Sequence, residues 1–131
     1  MTANTTTPTL PTPIIPLPPV GSFAWCHFPL VENDRVPGPV ARPVLITGHV
    51  PNRNAVEVIF GTSQKIDTIY PTEFVILKSH QDFPQTNLSR STKFDFSRPK
   101  ILPFNTDWFA VAPHKPGQPH PTTPQLGSLP M

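Results

Sequence analysis

The sequence predicts a mainly β protein, a small β-barrel of about five to seven short strands with a disordered tail at each end. Three features support this prediction. Short runs of apolar residues alternate with polar ones between Gly21 and Ala112, and none keeps the helical period of about 3.6 residues. Polar connections rich in proline, glycine, asparagine and serine separate these runs. The chain has 131 residues, a length typical of one domain.

Proline and aromatic residues divide the chain into three segments. Six of the 21 prolines precede Val20 and six more lie from Pro113 onward, whereas all nine phenylalanines, both tryptophans and the tyrosine lie between them. Segments rich in threonine and proline but without aromatic side chains bury too little apolar surface to offset their ordering entropy. The sequence therefore predicts disordered tails at residues 1–19 and 113–131 around a folded domain at residues 20–112.

The strands are predicted in order along the central segment. The first, residues 21–30, carries apolar side chains on both faces, as expected in a small closed barrel. The second strand is predicted at residues 42–48. Its start is placed at Arg42 and Pro43, because proline is tolerated only at the start or the edge of a strand. A turn leads to a third strand at residues 55–61, so these two strands form a hairpin. The remaining strands are predicted at residues 73–78, 92–96, 100–104 and 107–112.

The charge pattern argues against a general nucleic-acid coat. Ten basic and eight acidic residues are interspersed, and the formal net charge is +2. Proteins that coat nucleic acids usually carry a larger positive charge, because contacts with phosphates supply most of the affinity. Binding to RNA would therefore depend on a local basic patch.

The cysteine content and the N-terminus suggest a cytoplasmic protein. Cys26 is the only cysteine, so an intrachain disulfide cannot form, which suits a reducing compartment. Its apolar neighbours predict a buried side chain rather than a nucleophile. The N-terminus lacks the basic segment of a signal peptide, and no stretch approaches the ~18 apolar residues of a membrane-spanning helix. We therefore expect no membrane association.

The usual signatures of metal-dependent and cofactor-dependent enzymes are absent from the sequence. The five histidines show no metal-binding spacing among themselves or with Cys26. There is no glycine-rich phosphate loop and no GxSxG motif. The sequence predicts no metal site and no cofactor.

Arg42 is the most suggestive charged residue, because Pro43 and the strand behind it fix its position. An arginine presents a planar fork that matches two phosphate oxygens, so Arg42 is a candidate for holding an anion. The simpler interpretation is a solvated arginine or a surface ion pair at a strand end. Thr62 and Ser63 follow Gly61 at the end of the third predicted strand. They either cap a turn or face Arg42 across the mouth of the barrel.

Several short motifs follow one another in a defined order along the folded segment. They are a glycine-x-hydrophobic-x-tryptophan strand (Gly21, Phe23, Trp25), the Arg42-Pro43 pair before an apolar strand, and the cluster Gly61, Thr62, Ser63 and Gln64. The segments at residues 73–76, 88–96 and 101–111 continue the same order. Together these motifs resemble the PemK/MazF family of toxins, and more closely its divergent PemK-like members. The resemblance covers residues 21–111 and neither tail.

The resemblance implies a fold, an activity and partners. The fold would be a compact SH3-like β-barrel that commonly forms a homodimer. The activity would be that of an endoribonuclease toxin, a growth inhibitor in a toxin–antitoxin system, which cleaves single-stranded RNA without a metal. The 2′-hydroxyl of the RNA would attack the neighbouring phosphate. A cognate antitoxin would occupy the RNA groove with a disordered tail.

The resemblance also implies roles for individual residues. The catalytic arginine of the family matches Arg42, and its strand-end threonine matches Thr62, with Ser63 one position away. An acidic residue is common in the loop before the Arg-Pro pair of the family, and in this sequence either Glu32 or Asp34 matches it. Trp25 is a candidate for stacking on RNA bases. The remaining candidates for RNA binding are Gln64, Lys65, Arg90 and Lys93. The simpler alternative is that Trp25 belongs to the core and that the cations are solvated.

Two departures from the family pattern keep a second function open. The chain runs from Trp108 directly into a proline-rich segment instead of the C-terminal helix that supports dimerisation in the family. No histidine or glutamate stands at a clear position for a general base, a group commonly worth about 10²–10⁴ in rate. The alternative is a noncatalytic SH3-like barrel, encoded by a phage or a mobile element, that binds RNA or a protein partner. A barrel with a purely structural role is a third interpretation.

Overall fold

The computed structural model describes residues 11–129, which form a curled antiparallel sheet of seven strands with the shape of a half-barrel. The strands are β1 (Ser22–Cys26), β2 (Arg42–Val50), β3 (Ala55–Thr62), β4 (Glu73–Ile76), β5 (Thr92–Asp95), β6 (Lys100–Pro103) and β7 (Gln125–Ser128). Two short 3-10 helices, Pro51–Arg53 and Phe83–Thr86, lie in the connections. The prediction of a mainly β fold of the small-barrel class is therefore confirmed.

The sheet curls because β3 pairs with three strands. Along one edge it pairs with β2, as the predicted hairpin requires. On the other edge, Ala55–Val58 pairs with β6 and Gly61–Thr62 pairs with β5. The strand order is β4-β5-β3-β2-β1-β7, with β6 branching from β3. Since two strands diverge from one edge of β3, the sheet bends around it.

Both faces of the sheet are buried, as the composition of the first predicted strand suggests. On one face, Phe23 packs with Leu45, Ile59 and Phe94. On the other face lies a second cluster, formed by Ala24, Cys26, Val44, Ile46, Val56, Val58, Leu102, Phe104 and Phe109. The alternation of side chains along each strand sends successive residues to opposite clusters. The sheet is therefore the middle layer of the domain.

The predicted boundaries at residues 19/20 and 112/113 require correction. At the N-terminal side, Ile14 N donates a hydrogen bond to Phe104 O, and Pro18 is buried. At the C-terminal side, β7 pairs with β1, and the Leu126 side chain joins the Phe23 cluster. Without β7, the edge of β1 would present unpaired backbone groups beside an open core. The outer parts of the two predicted tails, residues 1–10 and 130–131, lie outside the described residues.

The strand predicted at residues 107–112 also differs from the structure. This segment forms an isolated bridge between Phe109 and Cys26, with backbone hydrogen bonds from His27 N to Trp108 O and from Ala110 N to Trp25 O. The segment continues the β1 edge for only a few residues, because β7 takes the rest of it. The apolar pattern of residues 107–112 therefore predicts a strand, although the segment forms only an isolated bridge and not a full β-ladder.

Gly127 provides a test that the C-terminal segment belongs to the fold. A Cβ atom at Gly127 would lie 2.3 Å from Gln85 O and 2.6 Å from Thr86 O, both backbone atoms. We expect Gly127→Ala to lower the free energy of unfolding by about 1–3 kcal/mol in urea denaturation, as overpacking does. Gly48→Ala is the control, because its Cβ would meet only Glu57 Cβ at 3.4 Å. Equal stability of the two variants would mean that β7 is not part of the folded unit.

Candidate anion-binding site

A cavity of about 160 Å³ opens where β2 begins and β3 ends. It brings together five of the residues that the sequence singled out, namely Trp25, Arg42, Thr62, Ser63 and Arg90. We call it the arginine pocket. Asn87, Ser89 and Thr92 contribute further polar groups to its lining.

The register of the sheet explains why Arg42 and Thr62 meet. Val44 of β2 lies opposite Phe60 of β3. In an antiparallel pair, moving two residues back along one strand corresponds to moving two residues forward along the other. Continuation of this register places Arg42 across from Thr62, and both residues line the pocket. On its other side, β2 places Pro43 opposite Trp25 of β1.

The segment predicted as a C-terminal tail builds one wall of the pocket. Pro113 and Leu126 belong to the lining. The Asn87 side chain donates a hydrogen bond to Leu126 O at 2.6 Å, and Lys115 Nζ donates one to Asn87 O. Burial lowers the pKa of Lys115 from its ordinary value. Two residues of the predicted tail, Lys115 and Leu126, therefore hold Asn87 in place.

The pocket is positively charged. Its lining contains Arg42 and Arg90 and no acidic residue. Among residues 11–129, neither arginine side chain makes an ion pair or a hydrogen bond with another protein group. Thr92 Oγ1 donates a hydrogen bond to Arg90 O at 2.8 Å and fixes the backbone there. Two arginines with hydroxyl and amide groups around them form a binding site suited to an anion.

The pocket does not contain a residue suited to act as a general base. No histidine, aspartate or glutamate belongs to its lining. His27, which directly follows β1, directs Nδ1 to Gly38 O at 3.1 Å. Cys26 is buried, and the burial raises the pKa of its thiol, so it is not a nucleophile. In the described range 11–129, no three histidine, cysteine or acidic side chains form a group that could hold a metal ion.

The other predicted RNA-binding residues lie outside the arginine pocket. Gln64 lines a neighbouring groove that shares Arg42 and Thr62 with it. Glu32 and Lys65 are exposed on loops. Lys93 is only 6% exposed, and its Nζ donates to Thr68 O at 2.9 Å and lies 3.4 Å from Glu73 Oε1. The charge of Lys93 is thus used inside the protein, on the face of the sheet that Lys93 shares with Glu73 of β4.

Sequence reasoning missed several residues of this region. Asn87, Ser89 and Thr92 come from the polar connection before β5, where the sequence offers only turn residues as a signal. Phe28 and Phe60 line the neighbouring groove, although their positions in apolar runs suggest core residues. The structural reason is that both side chains lie at the ends of strands and remain partly exposed.

The chain matches no family model, no curated protein and no solved structure. In the described part of the chain, no helix is long and apolar enough to cross a membrane. The assignment of function therefore depends on the geometry of the site.

The Lys93–Glu73 pair provides a second test of the structure. We expect Lys93→Met to lower the free energy of unfolding by roughly 3–5 kcal/mol, because it leaves the nearly buried Glu73 carboxylate without an opposite charge. The double variant Lys93→Met/Glu73→Gln should recover most of this loss, since glutamine can still accept the hydrogen bond from Tyr70 N. Urea denaturation measures both. A single variant as stable as the wild type would mean that Lys93 is solvated, as its assignment to an RNA surface requires.

Proposed function

We propose that the protein binds single-stranded RNA and that Arg42 and Arg90 hold a backbone phosphate in the arginine pocket. The observation that supports this proposal is the presence of two arginines without carboxylate partners in the lining of one cavity. With a net charge of only +2, the chain lacks a general attraction for nucleic acids. The local patch supplies the attraction instead.

The size and the lining of the pocket favour one unit of a polymer over a free small molecule. Pockets for small-molecule ligands commonly measure about 300–1,000 Å³. The arginine pocket, at about 160 Å³, is smaller and suits a phosphate with part of its sugar. Its hydroxyl and amide groups, from Thr62, Ser63 and Asn87, can bond to phosphate and sugar oxygens.

Single strands are favoured because an aromatic side chain lines the same cavity. Trp25 is only partly buried and lies beside Pro43 in the sheet register. Stacking of an unpaired base on an aromatic ring contributes about 1–3 kcal/mol and needs a base that is free of its partner strand. The proposed place of action is the cytoplasm, where such RNA is available.

The proposal is tested by the binding of a fluorescently labelled, mixed-sequence RNA oligonucleotide. We expect Arg42→Ala and Arg90→Ala each to raise Kd by about 10- to 100-fold, since each removes a charged hydrogen-bond donor. Each change should also reduce the slope of log Kd against log salt by about 0.7, the value for one phosphate contact on a single strand.

Arg53→Ala is the matched control for this experiment. Arg53 is exposed and lies in the 3-10 helix Pro51–Arg53, which follows the far end of β2. The control removes the same charge at a distance from the pocket. If Arg53→Ala weakens binding as much as Arg42→Ala, the binding is nonspecific. If the wild type does not bind the RNA, the proposed function is incorrect.

Metal-independent cleavage of the RNA is a second candidate function, and one observation favours it. The three residues predicted to be catalytic, Arg42, Thr62 and Ser63, line one cavity. In this reaction the 2′-oxygen forms a bond to phosphorus and the bond to the 5′-oxygen breaks. Arg42 would stabilise the charge on the phosphorane, and a hydroxyl would hold a nonbridging oxygen. The lining supplies no general base for the 2′-proton, which is why binding is the first proposal.

An antitoxin partner and a homodimer belong to this second candidate. An acidic segment of a partner could occupy the arginine pocket in place of a phosphate, because carboxylates and phosphates bond to arginine in the same way. A toxin of this kind requires such inhibition, whereas a binding protein does not.

Incubation of a long single-stranded RNA with the protein in EDTA separates the two candidates. If the protein is a ribonuclease, the wild type yields discrete fragments that end in a 2′,3′-cyclic phosphate, and Arg42→Ala reduces their rate of formation by about 10²–10³. Arg53→Ala should cleave like the wild type. RNA that stays intact while it binds would exclude cleavage and support the noncatalytic function.

A further inference from the structure

A second depression adjoins the arginine pocket on the far side of Arg42 and Thr62. It measures about 340 Å³ and is lined by Phe28, Leu30, Val31 and Phe60, together with Pro29 and Gln64. We call it the aromatic groove. Arg42 and Thr62 belong to the lining of both cavities, so one layer of side chains separates them.

The aromatic groove has an apolar surface that the core uses only in part, because Phe28 also packs against the second core cluster. The rings of Phe28 and Phe60 lie 5.1 Å apart between centroids and are tilted by 38°. Leu30 is 45% exposed and Val31 is 87% exposed. Exposed apolar side chains that stand singly need no explanation, but two exposed and two half-buried ones in one groove beside a charged pocket indicate a binding surface.

The loop that forms one wall of the groove is held at both ends. At its base, Gly38 N donates a hydrogen bond to His27 O, and Gly38 lies so close to Phe28 O that a Cβ atom would clash with it. Near its tip, Lys100 Nζ donates to Asp34 Oδ2 at 2.9 Å, and this bond lowers the pKa of Asp34. The lowered pKa keeps the Asp34 carboxyl group ionised at neutral pH. The wall is held in place without a ligand.

The chemistry of the groove suits a nucleobase. The two phenylalanine rings present faces on which a flat base can stack. The exposed Gln64 carries both a donor and an acceptor at the rim, as needed to bond to the edge of a base. Arg42, which lines both cavities, makes the side of the aromatic groove next to the arginine pocket positive. This charge favours an RNA strand with a base in the groove and its phosphate in the arginine pocket.

We propose that the aromatic groove binds one base of the RNA strand whose phosphate Arg42 and Arg90 hold, with Gln64 contacting the edge of that base. This inference rests on the proposed RNA binding and adds a subsite to it. It predicts that the protein distinguishes RNA sequences at one position, although the phosphate pocket by itself does not.

The test uses a set of short RNA oligonucleotides in which one nucleotide at a time lacks its base. With the wild type, removal of the base at one position should raise Kd by about 5- to 100-fold. In Phe60→Leu and Phe28→Leu, removal of that base should change Kd by less than about twofold. The control is Phe96→Leu, which changes a 55% exposed phenylalanine that packs on Phe74 outside the groove and should behave like the wild type.

A second variant keeps the test valid if the phenylalanine variants fold poorly. Gln64 is exposed, so Gln64→Ala leaves the packing intact. It should reduce the preference among the four bases at the critical position by at least about threefold while Arg42-dependent binding persists. RNA binding could depend on Arg42 and yet be insensitive to base removal and to all three groove variants. This result would overturn the inference and leave the proposed function in place. That result would point to a protein segment as the occupant. Absence of RNA binding by the wild type would overturn both.

Discussion

The antiparallel pairing of β2 with β3 is the interaction on which the rest of the structure depends. Its register sets the start of β2 across from the end of β3 and so brings Arg42 to Thr62. The same β3 pairs with β5 and β6 on its other edge, which curls the sheet and makes room for a cavity at its rim. A shift of one residue in this pairing would send the apolar side chains to opposite faces. The core therefore enforces the geometry of the site.

The partners of each cation decide which charges remain for a ligand. Lys93 is buried against Glu73, and Lys100 is paired with Asp34 at the surface. Lys115 bonds to a backbone oxygen of the segment that lines the pocket. Arg42 and Arg90 have no such partners among the described residues. The positive charge of the site thus comes from these two arginines, which no carboxylate in the lining neutralises.

The site and the core share residues at the C-terminal side of the domain. Leu126 contributes to the Phe23 cluster and lines the arginine pocket, and its carbonyl oxygen accepts the hydrogen bond from Asn87. Gly127 allows the backbone of β7 to approach Gln85 and Thr86 closely. Stability and ligand binding should therefore be coupled through this strand. A protein with a detached C-terminal segment would lose one wall of the pocket together with one edge of the sheet.

The sequence by itself determined the mainly β class and the β2–β3 hairpin, because alternating apolar runs and a short turn fix the local register. For Thr62 and Ser63, the sequence left open both a turn cap and a position facing Arg42. It did not determine the domain boundary: the threonine- and proline-rich composition around β7 resembles a disordered segment, and only the open edge of β1 orders it. Nor did it separate Lys93 from Arg90, which lie three positions apart, since their roles depend on Glu73, a residue brought near by the pairing of β4 with β5. The tertiary structure decided which charges are neutralised and which phenylalanines are exposed, because both depend on neighbours that are distant in the chain.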